Sequence, residues 1–301
     1  MLSLYNLLFE AKKKESKKTI KLPKEEEISD SEKSEAYNKL SETEKNQLGT
    51  ENYLPYKDWP RFRKYMVQKS SLSNPGLDPD LTAYTPGETL KLLDHPTISS
   101  WLKNISDHIV PIKYDTVVFV PCAKTKPWEA CEAGIYGSYN RLRNEYGNLY
   151  FVTISEPLGI VPQDMWGEFP QYDNPGLFKN AAQRSDMFTS DWKRLFGVES
   201  YLQTPFDKSA YKEAINRLSN TIKKFIETNR KERPELNFLS FVEDSEFKID
   251  KKNVGSHSDM LTTANVLDPK DRYTKRSGPR QEPYQHIKDI LTKREIVKNV
   301  K

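Results

Sequence analysis

At 301 residues, with 36% apolar residues and a mean hydropathy of −0.79, the chain has room for one large or two modest domains and a sizeable solvated portion. Its net charge of +4 is the small difference between 47 basic and 43 acidic residues, and it has only two cysteines. That composition excludes a disulfide scaffold, and no apolar run reaches membrane-spanning length, so a cytoplasmic protein without membrane attachment is expected.

Residues 1–11 are a short amphipathic stretch in which Leu2, Leu4, Tyr5, Leu7, Leu8 and Phe9 precede the first lysines. That order is the reverse of a secretory signal, and so short a stretch buries little area in a bilayer, so docking onto the protein's own body or a protein partner is expected. Residues 12–50 alternate Lys, Glu and Ser with almost no aromatic residue. Such a polyampholyte buries too little apolar surface to offset its ordering entropy, and a disordered linker is expected. The next stretch interleaves Tyr53, Tyr56, Trp59, Arg61, Phe62, Arg63, Lys64 and Tyr65. This pattern fits a packing arm with its arginines turned outward, and it also fits a stacking surface for single-stranded nucleic acid.

Thr85-Pro86-Gly87-Glu88 predicts a helix entry, and Thr97–Ile105 a second helix with Ile98, Trp101, Leu102 and Ile105 on one face. Thr116–Val120 is almost wholly apolar, as befits a central parallel strand covered on both faces. Ala130–Glu145 then reads as a crossover helix and Leu149–Ile154 as the neighbouring strand. Asp207–Thr228 keeps the helical period through Ala210, Tyr211, Ala214, Ile215, Leu218, Ile222, Phe225 and Ile226. Asn237–Val242 is the next predicted strand, the loop Gly255–Asp259 opens a further helix with Ser256 or Ser258 as its cap, and Tyr284–Val297 has a helical pattern. The alternation of strands and helices predicts an α/β domain over residues 51–268, a doubly wound, mostly parallel sheet with flanking helices. Residues 269–301 form a basic tail: Lys270–Lys301 holds ten basic against four acidic residues, suited to a phosphate backbone.

Chemistry concentrates after the first two strands. In VVFVPCAKTKPW (Val117–Trp128), Cys122 is a candidate nucleophile or a small buried residue. Lys124 and Lys126 beside Trp128 offer cations next to a flat ring, suited to a base or phosphate. In YFVTISEPLGIVPQDMW (Tyr150–Trp166), Glu156 is a candidate hydrogen-bond acceptor or general base, and Gly159 allows close approach of a ligand. Asp164, Glu168 and Asp173 add carboxylates nearby, and His257 in the later loop is a candidate acid. Loops at the carboxyl ends of adjacent parallel strands form the usual site of such a sheet, so Lys126 and Glu156 are expected to share a ligand there. The cysteine spacing gives no structural zinc site, and no cofactor motif occurs.

Pro121-Cys122 followed by Lys126-Pro127-Trp128 resembles the PC-x3-KPY motif of the archaeosine synthase family, with Cys131 and Gly134 standing where the family has Ser and His. The block EPLGIVPQDMWGEFPQYD is similar to the family's SPLGxVPRELE…YP…YD, with Glu156, Gln163 and Asp164 at the departures. The resemblance covers roughly residues 115–175 and implies a transferase that attaches the amine of lysine, or a lysine-like donor, to a 7-deazaguanine base in tRNA or DNA. No ATP step or cofactor is implied. It places Lys126, Trp128 and Tyr172 in a base pocket, Glu156 or Asp173 as the group that deprotonates the amine, and backbone donors at Gly159. The family domain itself resembles uracil-DNA glycosylase-like folds, with a His-and-Ser loop echoed by Ser256-His257-Ser258. A compact modifier of this kind suits a viral genome-modification pathway in a host cytoplasm. The alternative is a non-catalytic nucleic-acid- or protein-binding module that keeps the fold.

Overall fold

The computed structural model describes residues 67, 70–71, 76–123, 126, 128–130, 134–177, 207–242, 248–249, 252–253, 255–273 and 283–296. Segments 1–11 and 12–50, the aromatic and basic stretch after Asn52, Lys124 and Cys131 lie outside the described residues. The described residues fall into two compact units, one within Met1–Pro86 and Gln171–Lys208, the other within Gly87–Pro170 and Ser209–Lys301.

The second unit is built on a mixed four-stranded sheet. Strands β1 (Thr116–Pro121), β2 (Leu149–Ser155), β3 (Gly159–Pro162) and β4 (Asn237–Ser240) lie in the order β3-β2-β1-β4. β1 runs parallel to β2 and to β4, while β3 runs antiparallel to β2. Lys248–Ile249 and Lys252–Asn253 form a separate two-residue pairing, β5 with β6. All seven residues of β2, and five of the six in β1, are buried, as expected of interior strands made from β-branched and aromatic residues.

The helices are α1 (Pro86–Leu92), α2 (Pro96–Ser106), α3 (Gly134–Glu145), α4 (Lys208–Glu232), α5 (Ser256–Ala264) and α6 (Pro283–Lys293). Side chains alternate across a sheet, so Phe119 and Phe151, one register step apart, point to opposite faces. Phe119 meets Phe225 of α4 edge to face at 6.3 Å, and Phe151 stacks on Tyr139 of α3 at 5.8 Å. Helices therefore cover both faces. The apolar stripe of α4 read from the sequence is buried along its whole length, and Asn229, also buried, anchors the helix by accepting from Val110 N and donating to the carbonyl of His108.

Two predicted elements differ in extent, and one strand is new. α3 begins at Gly134, after a separate 3-10 turn at Trp128–Ala130, so Gly134 opens the helix instead of interrupting it. β3 is an added strand that the sequence reading did not include, and its antiparallel pairing makes the sheet mixed. The basic tail is partly a packed helix: α6 buries Tyr284, Ile287 and Leu291 and meets α3, where Lys288 pairs with Glu145 at 2.7 Å. That lysine and the Tyr284 hydroxyl hold the Glu145 carboxyl down at about 2. Replacing Leu291, which is wholly buried, with Ala should destabilise the protein by about 2–5 kcal/mol. The urea midpoint measures this. An unchanged midpoint would show that α6 contributes nothing to the fold.

Candidate functional site

The register pairs Pro121 with Ile154, so β1 and β2 end together and their loops leave from one edge of the sheet. Tyr136, on the first turns of α3, secures this edge by donating to the Pro121 carbonyl at 2.7 Å and sharing a hydrogen bond with Thr153 Oγ1 at 2.9 Å. Cys122 is half-buried here, its Sγ 3.3 Å from the Ala123 carbonyl. Glu156 follows β2 directly. Its turn is held by the Trp101 indole of α2, which donates to the carbonyls of Leu158 and Ile160. Gly159 closes the turn with φ +68°, a left-handed conformation that suits glycine. It pairs with Ser155 and lies under Leu102 and Thr221, so it serves strand closure.

His257, on the first turn of α5, reaches the same edge. Its Nε2 lies 3.1 Å from Glu156 Oε2, and both residues are buried, at 9% and 2% exposure. Burial pushes the Glu156 carboxyl upward, but the charge and hydrogen bond of His257 outweigh it, and the net displacement is below the ordinary value. The neighbouring Ser256 hydroxyl adds to the lowering. Even so, Glu156 Oε1 and Ser256 Oγ are each buried without a well-formed hydrogen-bond partner among the described residues. A second acidic residue completes the cluster. Tyr211, from the start of α4, donates to Asp259 Oδ2 at 2.6 Å; burial raises its phenol, helped by Asp259 and then by Glu156. Sequence reasoning missed Tyr211 and Asp259 because Tyr211 sits in the apolar stripe of its helix, where only its ring is expected to matter. Ser256 was noticed only as a helix cap.

The structure thus brings Cys122, Glu156, Gly159 and His257 to one edge. Trp128 is fully buried, stacked on Phe169 at 4.8 Å and on Tyr136 at 5.5 Å, so its ring packs the core instead of presenting a stacking platform. Lys126 is buried as well, at 5% exposure. Asp164 lies beyond β3, by the start of β2, at the opposite edge. It accepts from the Tyr150 hydroxyl at 2.6 Å, and that hydroxyl also bonds His108 Nε2 at 2.7 Å. Gln163 beside it bridges Phe151 N and the Tyr114 hydroxyl, so both departures from the family motif are used in this network. Asp173 and Tyr172 belong to the other compact unit, where Asp173 accepts from the hydroxyls of Ser70 and Tyr84 and its backbone bridges to Thr82.

No protein-family model matches the chain, and neither does any curated protein or solved structure.

Two measurements check this partition. Trp128→Ala should cost roughly 3–5 kcal/mol of stability, the effect of removing a fully buried aromatic. A soluble variant of wild-type stability would return Trp128 to the list of ligand-binding groups. The second concerns pH. A carboxyl lowered on folding contributes stability that is fully present above its ordinary value of about 4.5 and is lost as pH falls through the lower folded-state value. Glu156→Gln should therefore flatten the acid limb of the stability–pH curve below about 4.5. An acid limb as steep as wild type would mean that Glu156 is not held ionised by the fold.

Proposed function

We propose that the chain is a transferase that joins a primary amine to the nitrile carbon of a 7-deazaguanine-type base, the reaction implied by its archaeosine synthase-like motifs. The observation that carries this reading is the buried Glu156–His257 pair at the carboxyl edge of the sheet, one strand from Cys122 of the motif. The addition forms one N–C bond and converts the C≡N bond to C=N. The amine nitrogen gives up a proton, the former nitrile nitrogen takes one, and nothing leaves. Such a step needs a group that accepts a proton beside one that supplies it, held away from bulk water. A carboxylate kept ionised against its own desolvation, bonded to an imidazole, meets that requirement. Cys122 lies at the same edge as a small residue beside the site or a nucleophile toward the nitrile.

The same reading takes the sheet as doubly wound, supported by α3 and α4 lying on opposite faces, and takes nucleic acid as the carrier of the base. The charge surplus of Lys270–Lys301 supports the latter, although Lys288 and Arg294 already pair with Glu145 and Asp271. Cytoplasmic action fits the two cysteines and the absence of any membrane-spanning helix among the described residues.

The test incubates the protein with RNA or DNA oligonucleotides bearing a 7-deazaguanine nitrile and with lysine, followed by mass spectrometry of the nucleosides. The expected product is heavier by the whole mass of the amine. His257→Ala and Glu156→Gln should each slow its formation by about 10²–10⁴-fold, while Cys122→Ser separates a packing residue, with near-normal rate, from a nucleophile. Binding of the oligonucleotides with no adduct under any donor would overturn the transferase reading in favour of a non-catalytic module.

A further inference from the structure

The segment that follows α5 runs along the outer edge of β4 and carries one cation that the fold leaves over. Tyr273 N donates to the Ser240 carbonyl at 2.8 Å, and Ser240 and Arg272 form a parallel bridge. The charges around this bridge sort into pairs with a remainder. Lys270 pairs with Asp268 at 3.2 Å, and Arg294 with Asp271 at 2.7 Å. Arg272, half-buried, has no carboxylate partner among the described residues. Its Nη2 donates to Thr262 Oγ1 of α5 at 2.8 Å, and its Nε is buried with no acceptor. Among the described residues it is the only cationic side chain with a buried donor left open. Thr262 gives its own proton to the Ser258 carbonyl, so its oxygen can only accept, and it fixes the guanidinium in place. A charge held partly out of water by a neutral oxygen, with a buried N–H unmade, costs free energy until an acceptor arrives.

We propose that Arg272, positioned by Thr262, binds a backbone phosphate of a single-stranded nucleic acid. The assignment deepens the reading that nucleic acid carries the base, and it rests on that reading for its purpose. A guanidinium has five donors in a planar fork that matches two phosphate oxygens, and only one of the five is engaged here. A lone carboxylate also fits the fork, but the surroundings suit a polyanion. Lys270–Lys301 holds ten basic against four acidic residues. Tyr273 stacks on Phe241 at 5.0 Å, with the Arg294 guanidinium 5.3 Å from its ring centre, and aromatic rings among guanidinium groups are what single strands use. The position is also right. Ser240 is the last residue of β4 and pairs with Phe119 of β1, so Arg272 stands at the carboxyl edge, two strands from β1. That is roughly 10 Å across the sheet, a distance covered by about three phosphates of one strand. A strand that delivers a base to the edge of Cys122 and Glu156 thus lays its neighbouring backbone over Arg272.

Fluorescence anisotropy of the full chain with a labelled, unmodified single-stranded oligonucleotide across a salt series tests the contact, with no nitrile or amine present. Arg272→Gln should weaken binding about tenfold, the loss of a charge-assisted pair, and lower the slope of log K against log salt by about 0.7, the share of one phosphate in a single strand. Thr262→Val keeps the charge and removes the oxygen that orients it, so binding should fall by about threefold at an unchanged slope. That variant decides the matter should Arg272→Gln unfold. Arg217→Gln removes an equal charge from the exposed pair with Asp94 and should change binding by less than about twofold. Unchanged binding in Arg272→Gln, or an equal loss in Arg217→Gln, would overturn the contact and leave a water on Nε. Poly-L-glutamate bound as tightly as the oligonucleotide, with the same dependence on Arg272, would overturn it in favour of an acidic protein. Inorganic phosphate bound through Arg272 without any binding of oligonucleotide would overturn the diester. The two proposals fail separately. Oligonucleotide binding that depends on Arg272, with no nucleoside adduct, keeps the contact and removes the reaction. Adduct formation with an unchanged KM for the oligonucleotide in Arg272→Gln keeps the reaction and removes the contact.

Discussion

Strand β2 hydrogen-bonds to β1 on one side and β3 on the other, with every one of its residues buried. Because β1 and β2 are parallel and in register from Thr116↔Leu149 to Pro121↔Ile154, they end at the same edge. The site depends on this one constraint. It delivers Cys122 and Glu156 from segments some thirty residues apart to adjoining positions, and the return of β3 places Gly159 beside them. A shift of one residue would turn each side chain of β2 to the other face and dismantle both helix interfaces. The register is defended from both sides by the bulk of Phe119 under α4 and Phe151 under α3.

The residues of the two motif segments divide their labour according to the edge at which they emerge. At the carboxyl edge, polar groups converge: Glu156, His257, Ser256 and the Tyr211–Asp259 pair. At the other edge, Gln163, Asp164, Tyr150, His108 and Tyr114 bond to one another and close the bottom of the sheet. There burial holds the His108 imidazole below its ordinary pKa, with Asp164 opposing the shift, and the neutral ring stacks near Tyr150 and Phe225. Between the edges, Trp128, Tyr136, Trp166 and Phe169 form one aromatic cluster. Several residues of the two motif segments are thus scaffold.

What the sequence made legible follows physical signal strength. Thr116–Val120 and Leu149–Ile154 were readable because uninterrupted β-branched and aromatic runs have few other uses, and α4 because its apolar period persists over many turns. β3 was hidden: Gly-Ile-Val-Pro has only two residues between a Gly and a Pro, which carry turn signals of their own. Trp128 misled because a lysine–aromatic loop looks the same whether the ring faces solvent or core, and only packing separates the two. The partnership of Glu156 and His257 spans about a hundred residues and leaves no local trace. Both were singled out as candidates, but their 3.1 Å contact was beyond any periodicity or spacing argument.

A buried ion pair is poor evidence of a need for stability, since a well-packed apolar pair of similar volume often does as well or better. That consideration weighs on Glu156 in particular. Its neighbours along the chain are largely apolar: Ile154, Leu158, Ile160 and Val161 are all fully buried, and a hydrophobic side chain after β2 would fit the composition of the strand. The chain instead places a carboxylate there and brings an imidazole to one of its oxygens from a distant helix, with the Ser256 hydroxyl beside it. A stabilising network closes its hydrogen bonds, as Asn229 does with Val110, His108 and Phe225. The Glu156–His257 pair lies instead at the edge where α/β sheets bind ligands, and that position, not its contribution to stability, is the reason to read it as a site.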